Sequence, residues 1–168
     1  MYTLRIATLD DLDLISEIEA EAFPPAERAS RERLAGRMAV FADDFLILFE
    51  DGRPVGYVAG MTTNRTTIVD EMFAEPSMHE PQGKYQSVFS LAVRESDRRK
   101  GCGATLMRAF IEKARQEGRE GVILTCKEKL IHYYAKFGFV NEGVSESKHG
   151  GAEWYDMIVR FDRKKAAD

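Results

Sequence analysis

The sequence predicts a mixed α/β (α+β) fold, because helix and strand patterns alternate along the whole chain. In some segments apolar residues recur at the three- and four-residue spacing of a helix, and in others they form short runs or alternate with polar ones. With 44% hydrophobic and 31% charged residues, the composition is that of a globular protein rather than a disordered one. A chain of 168 residues has the length of one domain, and we expect residues 1–168 to form it.

The first part of the chain is predicted to be a strand, two helices and a hairpin. Thr8 and Asp11 have the spacing of a capping box, and apolar residues follow at helical spacing until Phe23-Pro24-Pro25 ends the helix. Asp51-Gly52 between two apolar runs is a strong hairpin signal. These patterns predict a strand at 3–7, helices at 9–22 and 26–40, and strands at 45–50 and 54–62.

A polar segment, 63–85, is predicted to be a loop, and a loop of this length in a compact domain is usually functional or mobile. Beyond it the alternation resumes, and Gly118 and Gly138 stand where two helical patterns stop. We expect a strand at 86–93, a helix at 103–116, a strand at 122–125, a helix at 128–137, and a final pair of strands at 139–144 and 153–161.

Composition argues against several classes of protein. The formal net charge is −4, whereas nucleic-acid-binding proteins usually carry a basic excess. The longest apolar runs are five residues, as at Phe45–Phe49, and a membrane-spanning helix needs about 20. No secretory signal precedes Asp10, and Cys102 and Cys126 are too few for a disulfide framework. We expect a cytoplasmic protein without a nucleic-acid or membrane partner and without a metal, since His132 and His149 have no ligand cluster in sequence.

The most informative segment is a glycine-rich turn that follows the apolar run Leu91-Ala92-Val93. It reads Arg98-Arg99-Lys100-Gly101-Cys102-Gly103-Ala104 and leads directly into a helical pattern. Glycines allow a turn whose N–H groups point inward, and they let a ligand approach the backbone closely. The start of a helix adds free donors and a positive dipole end. The segment is therefore predicted to cradle a pyrophosphate.

Three known kinds of cradle can be compared with this turn. The phosphate loop of nucleotide hydrolases is absent, and the dinucleotide fingerprint would need a third glycine where the chain has Leu106. The Gln/Arg-x-x-Gly-x-Gly/Ala signature of acetyl-coenzyme A (acetyl-CoA) binding is satisfied by residues 98–103. The alternative interpretation is a strand-to-helix turn with solvated charges.

With this signature in place, the chain resembles the GCN5-related N-acetyltransferase (GNAT) superfamily, and within it the arylalkylamine (serotonin-type) branch. The resemblance implies a mixed, mostly antiparallel central sheet flanked by helices, with splayed central strands. The other motifs that carry it, in chain order, are Glu17-Ile18-Glu19-Ala20-Glu21-Ala22-Phe23, His79-Glu80-Pro81-Gln82-Gly83 with Leu91-Ala92-Val93, Leu124-Thr125-Cys126-Lys127-Glu128, and Leu130-Ile131-His132-Tyr133-Tyr134-Ala135-Lys136-Phe137-Gly138-Phe139.

The resemblance also implies roles for particular residues. The backbone at Leu91, Ala92 and Val93 would pair with the pantetheine arm of acetyl-CoA as an added strand does, and an N–H beside Leu91 would polarise the thioester carbonyl. The turn from Arg98 to Ala104 would hold the pyrophosphate. Tyr134 matches the family's general acid, since a phenol with an ordinary pKa of about 10 stays protonated at neutral pH. Pattern alone favours an aromatic on the packed face of a helix for Tyr134, and the match to the family's motif is what favours the acid.

The general base is where the sequence departs from this branch. Ser87 and Phe89 stand where the serotonin-type enzymes carry two histidines, so their histidine relay does not transfer to this chain. His79 is a candidate base, because the ordinary pKa of histidine lies near 6.5. A surface histidine is the alternative interpretation of the same residue. Glu71 or Glu21 acting through water, or solvent itself, are the other candidates.

The acceptor is predicted from the polar segment. Its acidic residues concentrate negative charge between apolar ones, which favours a cation with a hydrophobic body. We therefore expect an N-acetyltransferase acting on a primary amine, specifically a small aryl- or alkylamine. The alternatives are an acetyltransferase of a protein N-terminus or lysine, a non-catalytic CoA-binding module, and, for the segment, a solvated loop. A homodimer is one of the assemblies left open. The residues concerned are Asp70, Glu71, Glu75 and Glu80, with Met72, Phe73 and Met78.

Overall fold

The computed structural model describes residues 1–161, which form two sheets with helices packed against them. The strands are β1 (Tyr2–Ile6), β2 (Phe45–Glu50), β3 (Arg53–Ala59), β4 (Thr62–Thr63), β5 (Tyr85–Val88), β6 (Ser90–Val93), β7 (Gly121–Cys126), β8 (Val140–Val144) and β9 (Tyr155–Arg160). The helices are α1 (Leu12–Ala22), α2 (Arg31–Phe41), α3 (Asp70–Ala74), α4 (Cys102–Gln116) and α5 (Ile131–Ala135).

The two sheets together form the mixed, mostly antiparallel arrangement that was predicted. The first sheet has the strand order β1-β2-β3-β6, and its strands are all antiparallel. The second has the order β4-β5-β7-β9-β8, in which β5 and β7 form the parallel pair. The predicted fold class is therefore confirmed, including strands that separate at the centre of the molecule.

The hydrophobic core lies on both faces of the first sheet. Phe45 and Ile47 of β2 pack in the cluster that includes α1 and α2 residues, whereas Leu46 and Leu48 pack in the cluster formed with α4. Successive residues of a strand point to opposite faces, so an unbroken apolar run is expected where both faces are covered. No helix within residues 1–161 combines the length and the apolarity needed to cross a bilayer.

The central strands separate at Phe89. Tyr85–Val88 pairs in parallel with β7, and its last residue lies opposite Leu124. Ser90–Val93 pairs with β3 in the other sheet. The predicted single strand at 86–93 is thus wrong, because its two halves find partners from different parts of the chain. Periodicity within the segment carries no information about those partners.

Buried polar contacts hold this separation in place. The Gln86 side chain donates from Nε2 to the carbonyl oxygens of Gly60, Met61 and Ser87, at 2.8, 3.2 and 2.9 Å. The Ser87 hydroxyl donates to the Met61 carbonyl oxygen at 2.8 Å. A Cβ atom at Gly60 would overlap the Ser87 carbonyl group, so only glycine allows this approach.

Other local predictions agree with the structure to different degrees. The Thr8–Asp11 capping box is present, and Asp51-Gly52 turns the β2–β3 hairpin with φ values of 49° and 83°. The second helix begins at Arg31 rather than residue 26, because Ser30 caps it by accepting the Arg33 N–H at 3.1 Å. The predicted loop at 63–85 contains α3, which ends at Ala74.

We predict that Gly60→Ala lowers the free energy of unfolding by about 2–4 kcal/mol, since the new Cβ forces two backbone segments apart. Gly36→Ala is the matched control, because a Cβ there would lie 3.6 Å from Pro76 Cγ in ordinary contact. Within a helix this change should stabilise by about 0.5–1 kcal/mol. Urea unfolding of both variants measures the difference, and equal effects would contradict the close approach at Gly60.

Candidate active site

The separation of β5 from β6 opens a cavity of about 620 Å³. Its wall is formed by the end of α1, by α2 and α3, by β6 and the start of α4, by the end of β7, and by α5 with the segment 149–154. Its lining residues include two groups at different ends. The glycine end comprises Leu91, Val93, Arg98, Gly103 and Tyr133, and the arginine end comprises Arg33, Arg37, Phe73, Phe89 and His149.

At the glycine end, β6 presents an open backbone edge. The Arg94 N–H donates to the Val55 carbonyl oxygen at 2.8 Å, and β6 stays in register with β3 back to Ser90. Hydrogen bonds alternate between the two edges of an antiparallel strand, so the peptide groups of Leu91 and Val93 face away from β3. An extended ligand can pair with such an edge in the manner of an added strand.

The turn that follows β6 leads into the start of α4, where backbone N–H groups are available to bind an anion. Gly101 caps the helix with a left-handed φ of 82°, and Arg99 is also left-handed at 66°. The first intrahelical bond runs from the Thr105 N–H to the Gly101 carbonyl oxygen at 3.0 Å. The N–H groups that precede it lack partners within the helix and carry the positive end of a 15-residue dipole. A Cβ at Gly103 would lie 2.9 Å from the Tyr133 hydroxyl, so glycine keeps this corner open.

Asp97 fixes the turn through ion pairs with Arg53 and Lys100. Its carboxylate is inaccessible to solvent and accepts from Arg53 at 2.7 and 3.0 Å and from Lys100 at 3.3 Å. The Arg53 guanidinium lowers the pKa of Asp97 to about 2. Lys100 is thereby engaged within the turn, while Arg98 lines the cavity.

The residues predicted to bind the cofactor lie on β6 and in the turn that follows it, but only some of them line the cavity. Ala92 is fully buried in the core, and the Cys102 sulfur is buried 3.9 Å from the Tyr2 hydroxyl. Their predicted role in binding therefore rests on backbone atoms. Those that line the cavity are Leu91, Val93, Arg98 and Gly103. Those in the strand or turn that do not are Ala92, Arg99, Lys100, Gly101, Cys102 and Ala104.

Tyr134 lines the same cavity. Its ring meets Tyr133 edge-on at a centroid distance of 5.2 Å, and its hydroxyl has no hydrogen-bond partner within residues 1–161. Burial, together with Cys126 and Tyr133 nearby, raises the pKa of Tyr134 well above its ordinary value. Burial also raises the pKa of Cys126 to about 11. Both groups therefore keep their protons at neutral pH, and Tyr134 has a proton free to donate.

His79 lies away from the cavity wall. Its Nδ1 accepts from the Thr62 N–H at 3.1 Å, and its ring stacks on Phe41 at 5.0 Å. Burial lowers the pKa of His79. The other candidate bases are also outside the wall, since Glu21 is paired with Arg94 at 3.0 Å and Glu71 is exposed on α3.

The acidic segment does not form an acidic wall. Of residues 70–80, all of them described, Phe73 alone lines the cavity. Asp70 accepts from the Ser147 hydroxyl and, at 2.9 Å, from the Lys148 N–H, so its charge holds the neighbouring loop. The acidic side chains that were expected to favour a cation therefore lie outside the wall of the cavity.

Glu19 is a cavity residue that the sequence analysis missed. Its buried carboxylate accepts from the Tyr57 hydroxyl at 2.7 Å, the Ser90 hydroxyl at 3.0 Å and the Ala29 N–H at 2.9 Å. A signal was available, because Glu19 falls at helical spacing with Ile15, Ile18 and Ala22 on the apolar face of α1. Ser90 follows Phe89 directly, so Glu19 contacts the point where the strands separate.

The arginine end was also not predicted. The Arg37 guanidinium lies 5.1 Å from the Phe89 ring, and its Nη2 donates to the Phe73 carbonyl oxygen at 3.0 Å. The Phe73 ring packs on Phe89 at 4.7 Å and stacks on His149 at 5.3 Å. Residues 1–161 contain no group of histidine, cysteine and acidic side chains able to hold a metal ion.

The sequence is similar to those of known acetyltransferases. A family model described as the acetyltransferase (GNAT) family matches residues 12–139. The chain is 27% identical over 147 residues to serotonin N-acetyltransferase of Mesocricetus auratus, an alignment covering 80% of this chain and 66% of that protein. It is 29% identical over 148 residues to glucosamine 6-phosphate N-acetyltransferase 1 of Oryza sativa subsp. japonica, covering 85% and 84%.

Among solved structures, the fold is similar to that of the GphF GNAT-like decarboxylase in complex with isobutyryl-CoA. The TM-score is 0.81 at 20% identity, and the superposition covers 94% of this chain and 98% of the other.

We predict that Asp97 makes the protein acid-labile in a defined range of pH. Because the folded state lowers the pKa of this carboxyl, its stabilisation is complete above about pH 4 and is lost as the pH falls towards 2. The stability difference between wild type and Asp97→Asn should shrink over that range in urea unfolding. Glu95→Gln, an exposed change in the same turn, should track the wild type; a constant Asp97→Asn difference would refute the prediction.

Proposed function

This chain is an acyltransferase of the acetyltransferase (GNAT) family, and we propose that it moves an acetyl group from acetyl-CoA to the primary amine of a small molecule. One observation carries the proposal. One cavity is lined by the open edge of β6, by the start of α4 and by Tyr134, whose hydroxyl has no hydrogen-bond partner in the described part of the chain. These are the parts that acyl transfer from a pyrophosphate-bearing thioester requires.

The glycine end fits acetyl-CoA. The open edge at Leu91 and Val93 suits an amide-containing arm, and the start of α4 with Arg98 suits a pyrophosphate. When bound, acetyl-CoA supplies an acetyl thioester that an amine can displace. In this proposal the N–H of Leu91 polarises the acetyl carbonyl, because a donor fixed in advance stabilises developing negative charge.

Two side chains are assigned to proton movement. Tyr134 donates its proton to the departing sulfur, a role supported by burial that keeps the phenol protonated. The attacking amine must lose a proton. Two carboxylates line the cavity and are candidates to receive it, Glu19 and Glu27. Glu27 is engaged with Lys127 at 2.7 Å, whereas Glu19 is held by hydroxyl groups and an amide beside Ser90. We therefore assign Glu19, in place of His79, to orient the amine and receive its proton through water.

A small acceptor is favoured by the cavity and by the relatives. The cavity of about 620 Å³ lies within the range of small-molecule sites, and acetyl-CoA at the glycine end would leave only part of it to the acceptor. The two relatives named above carry the names of small amines, serotonin and glucosamine 6-phosphate. The direct test is a panel of primary amines with acetyl-CoA, followed by release of the CoA thiol and identification of the N-acetyl product. Turnover confined to peptides would identify a protein acetyltransferase, and acetyl-CoA binding without any turnover a non-catalytic module.

We predict that acetyl-CoA at 100 times its Kd stabilises the protein by about 2.7 kcal/mol. Gly101→Val and Gly103→Val should lose most of this gain, the first through its φ of 82° and the second by meeting the Tyr133 hydroxyl. Gly118→Val is the matched control, since Gly118 has a φ of 80° at the opposite end of α4. It should lower basal stability yet keep the gain in a thermal-shift assay. Full gains in all three variants would place the pyrophosphate elsewhere.

We predict that Tyr134→Phe reduces kcat by about 10²- to 10⁴-fold while the affinity for acetyl-CoA is unchanged. The ring remains, so the thermal midpoint should move little. Tyr155→Phe, which removes a hydroxyl bonded to Glu153 outside the cavity, should keep full activity. An unchanged kcat in Tyr134→Phe, under conditions where chemistry limits the rate, would return Tyr134 to a packing role.

A further inference from the structure

We propose that the acceptor amine also carries an anionic group, a carboxylate or a phosphate, which Arg37 binds at the arginine end. This inference rests on the proposed function and specifies the class of acceptor. It narrows the expected small aryl- or alkylamine to one that carries an acidic group as well.

The first observation is an unsatisfied donor. Arg37 is 4% exposed, yet it lines the cavity. Its Nη2 is used by the Phe73 carbonyl oxygen, but its buried Nε has no hydrogen-bond partner within residues 1–161. A buried charged donor left without a partner is costly, and such groups are rare in native structures. A ligand atom that accepts from this guanidinium removes the cost.

The second observation is an imbalance of charge. Neither Arg37 nor Arg33, which is one helical turn earlier on α2 and lines the same cavity, has an ion-pair partner within residues 1–161. The Glu19 carboxylate accepts from hydroxyls and an amide, and Glu27 is neutralised by Lys127. Burial lowers the pKa of Arg37, while Tyr57 and Glu19 nearby act to raise it and the like charge of Arg33 acts to lower it. An anion bound at the arginine end would balance the positive charge of these two side chains.

The third observation concerns shape. The guanidinium carbon lies 5.1 Å from the centre of the Phe89 ring and 6.0 Å from that of the Phe73 ring, so two aromatic rings and the Phe73 carbonyl oxygen restrict its position. A fixed guanidinium suits a carboxylate or phosphate, whose oxygens accept from its planar fork of donors. Phe89 adjoins Ser90, whose hydroxyl contacts Glu19. The acceptor would therefore place its amine near Glu19 and its anion near Arg37.

Matched pairs of amines that differ by the anionic group test this assignment. Phenylalanine against phenethylamine probes a carboxylate, and phosphoethanolamine against ethanolamine probes a phosphate. In the wild type, kcat/KM should be about 10- to 100-fold higher for the anionic member of at least one pair. Arg37→Gln should raise KM for that member by a similar factor and leave KM for its neutral partner unchanged. Arg37→Lys should restore part of the preference. Neutral amines used as well as their anionic partners would overturn the inference while leaving the proposed function intact.

A binding measurement keeps the inference testable if no amine turns over, an outcome that would count against the proposed function. Thermal shifts are recorded with CoA plus N-acetylphenylalanine, N-acetylphenethylamine, and the N-acetyl forms of the second pair. An anionic product should raise the midpoint of the wild type and not that of Arg37→Gln. The shift given by acetyl-CoA alone verifies that this variant is folded. Equal shifts for anionic and neutral products, or none for either, would overturn the inference.

Discussion

The close approach of Gly60 to Ser87 is the constraint on which the rest of the site depends. It brings the end of β3 against the end of β5, and Gln86 secures the contact with three carbonyl oxygens. β5 pairs with β7 in the second sheet, whereas β6, which begins at Ser90, pairs with β3 in the first sheet. Phe89 is left at the junction, and one edge of β6 is left open to the cavity.

Burial then decides the protonation of the groups around that opening. Tyr134 and Cys126 are both removed from water, so their pKa values rise and both remain neutral. Asp97 shows the opposite effect on a carboxyl group, because two cations contact it and its pKa falls. Burial and the immediate charged partners of a group thus decide its protonation.

The segment of the sequence that is richest in acidic residues does not supply the charged side chains of the cavity. Asp70 and Glu80 belong to an acidic segment, yet their carboxylates accept backbone N–H groups of neighbouring loops. Arg37 belongs to a helix with several arginines, and it is the one buried beside aromatic rings. Two residues of the acidic segment therefore hold neighbouring loops, whereas Glu19 of α1 and Arg37 of α2 are buried and line the cavity.

The sequence by itself determined the order of most elements, the Thr8 capping box, the Asp51-Gly52 hairpin and the glycine turn before α4. Each is a matter of neighbouring residues, since a cap, a turn or a helical period needs only local geometry. The tertiary structure decided that 86–93 divides at Phe89, that His79 packs against Phe41, and that Glu19 and Arg37 line one cavity. These depend on which distant segments pair and which faces are covered, and a charged residue on a helix acquires its role only when another element buries it.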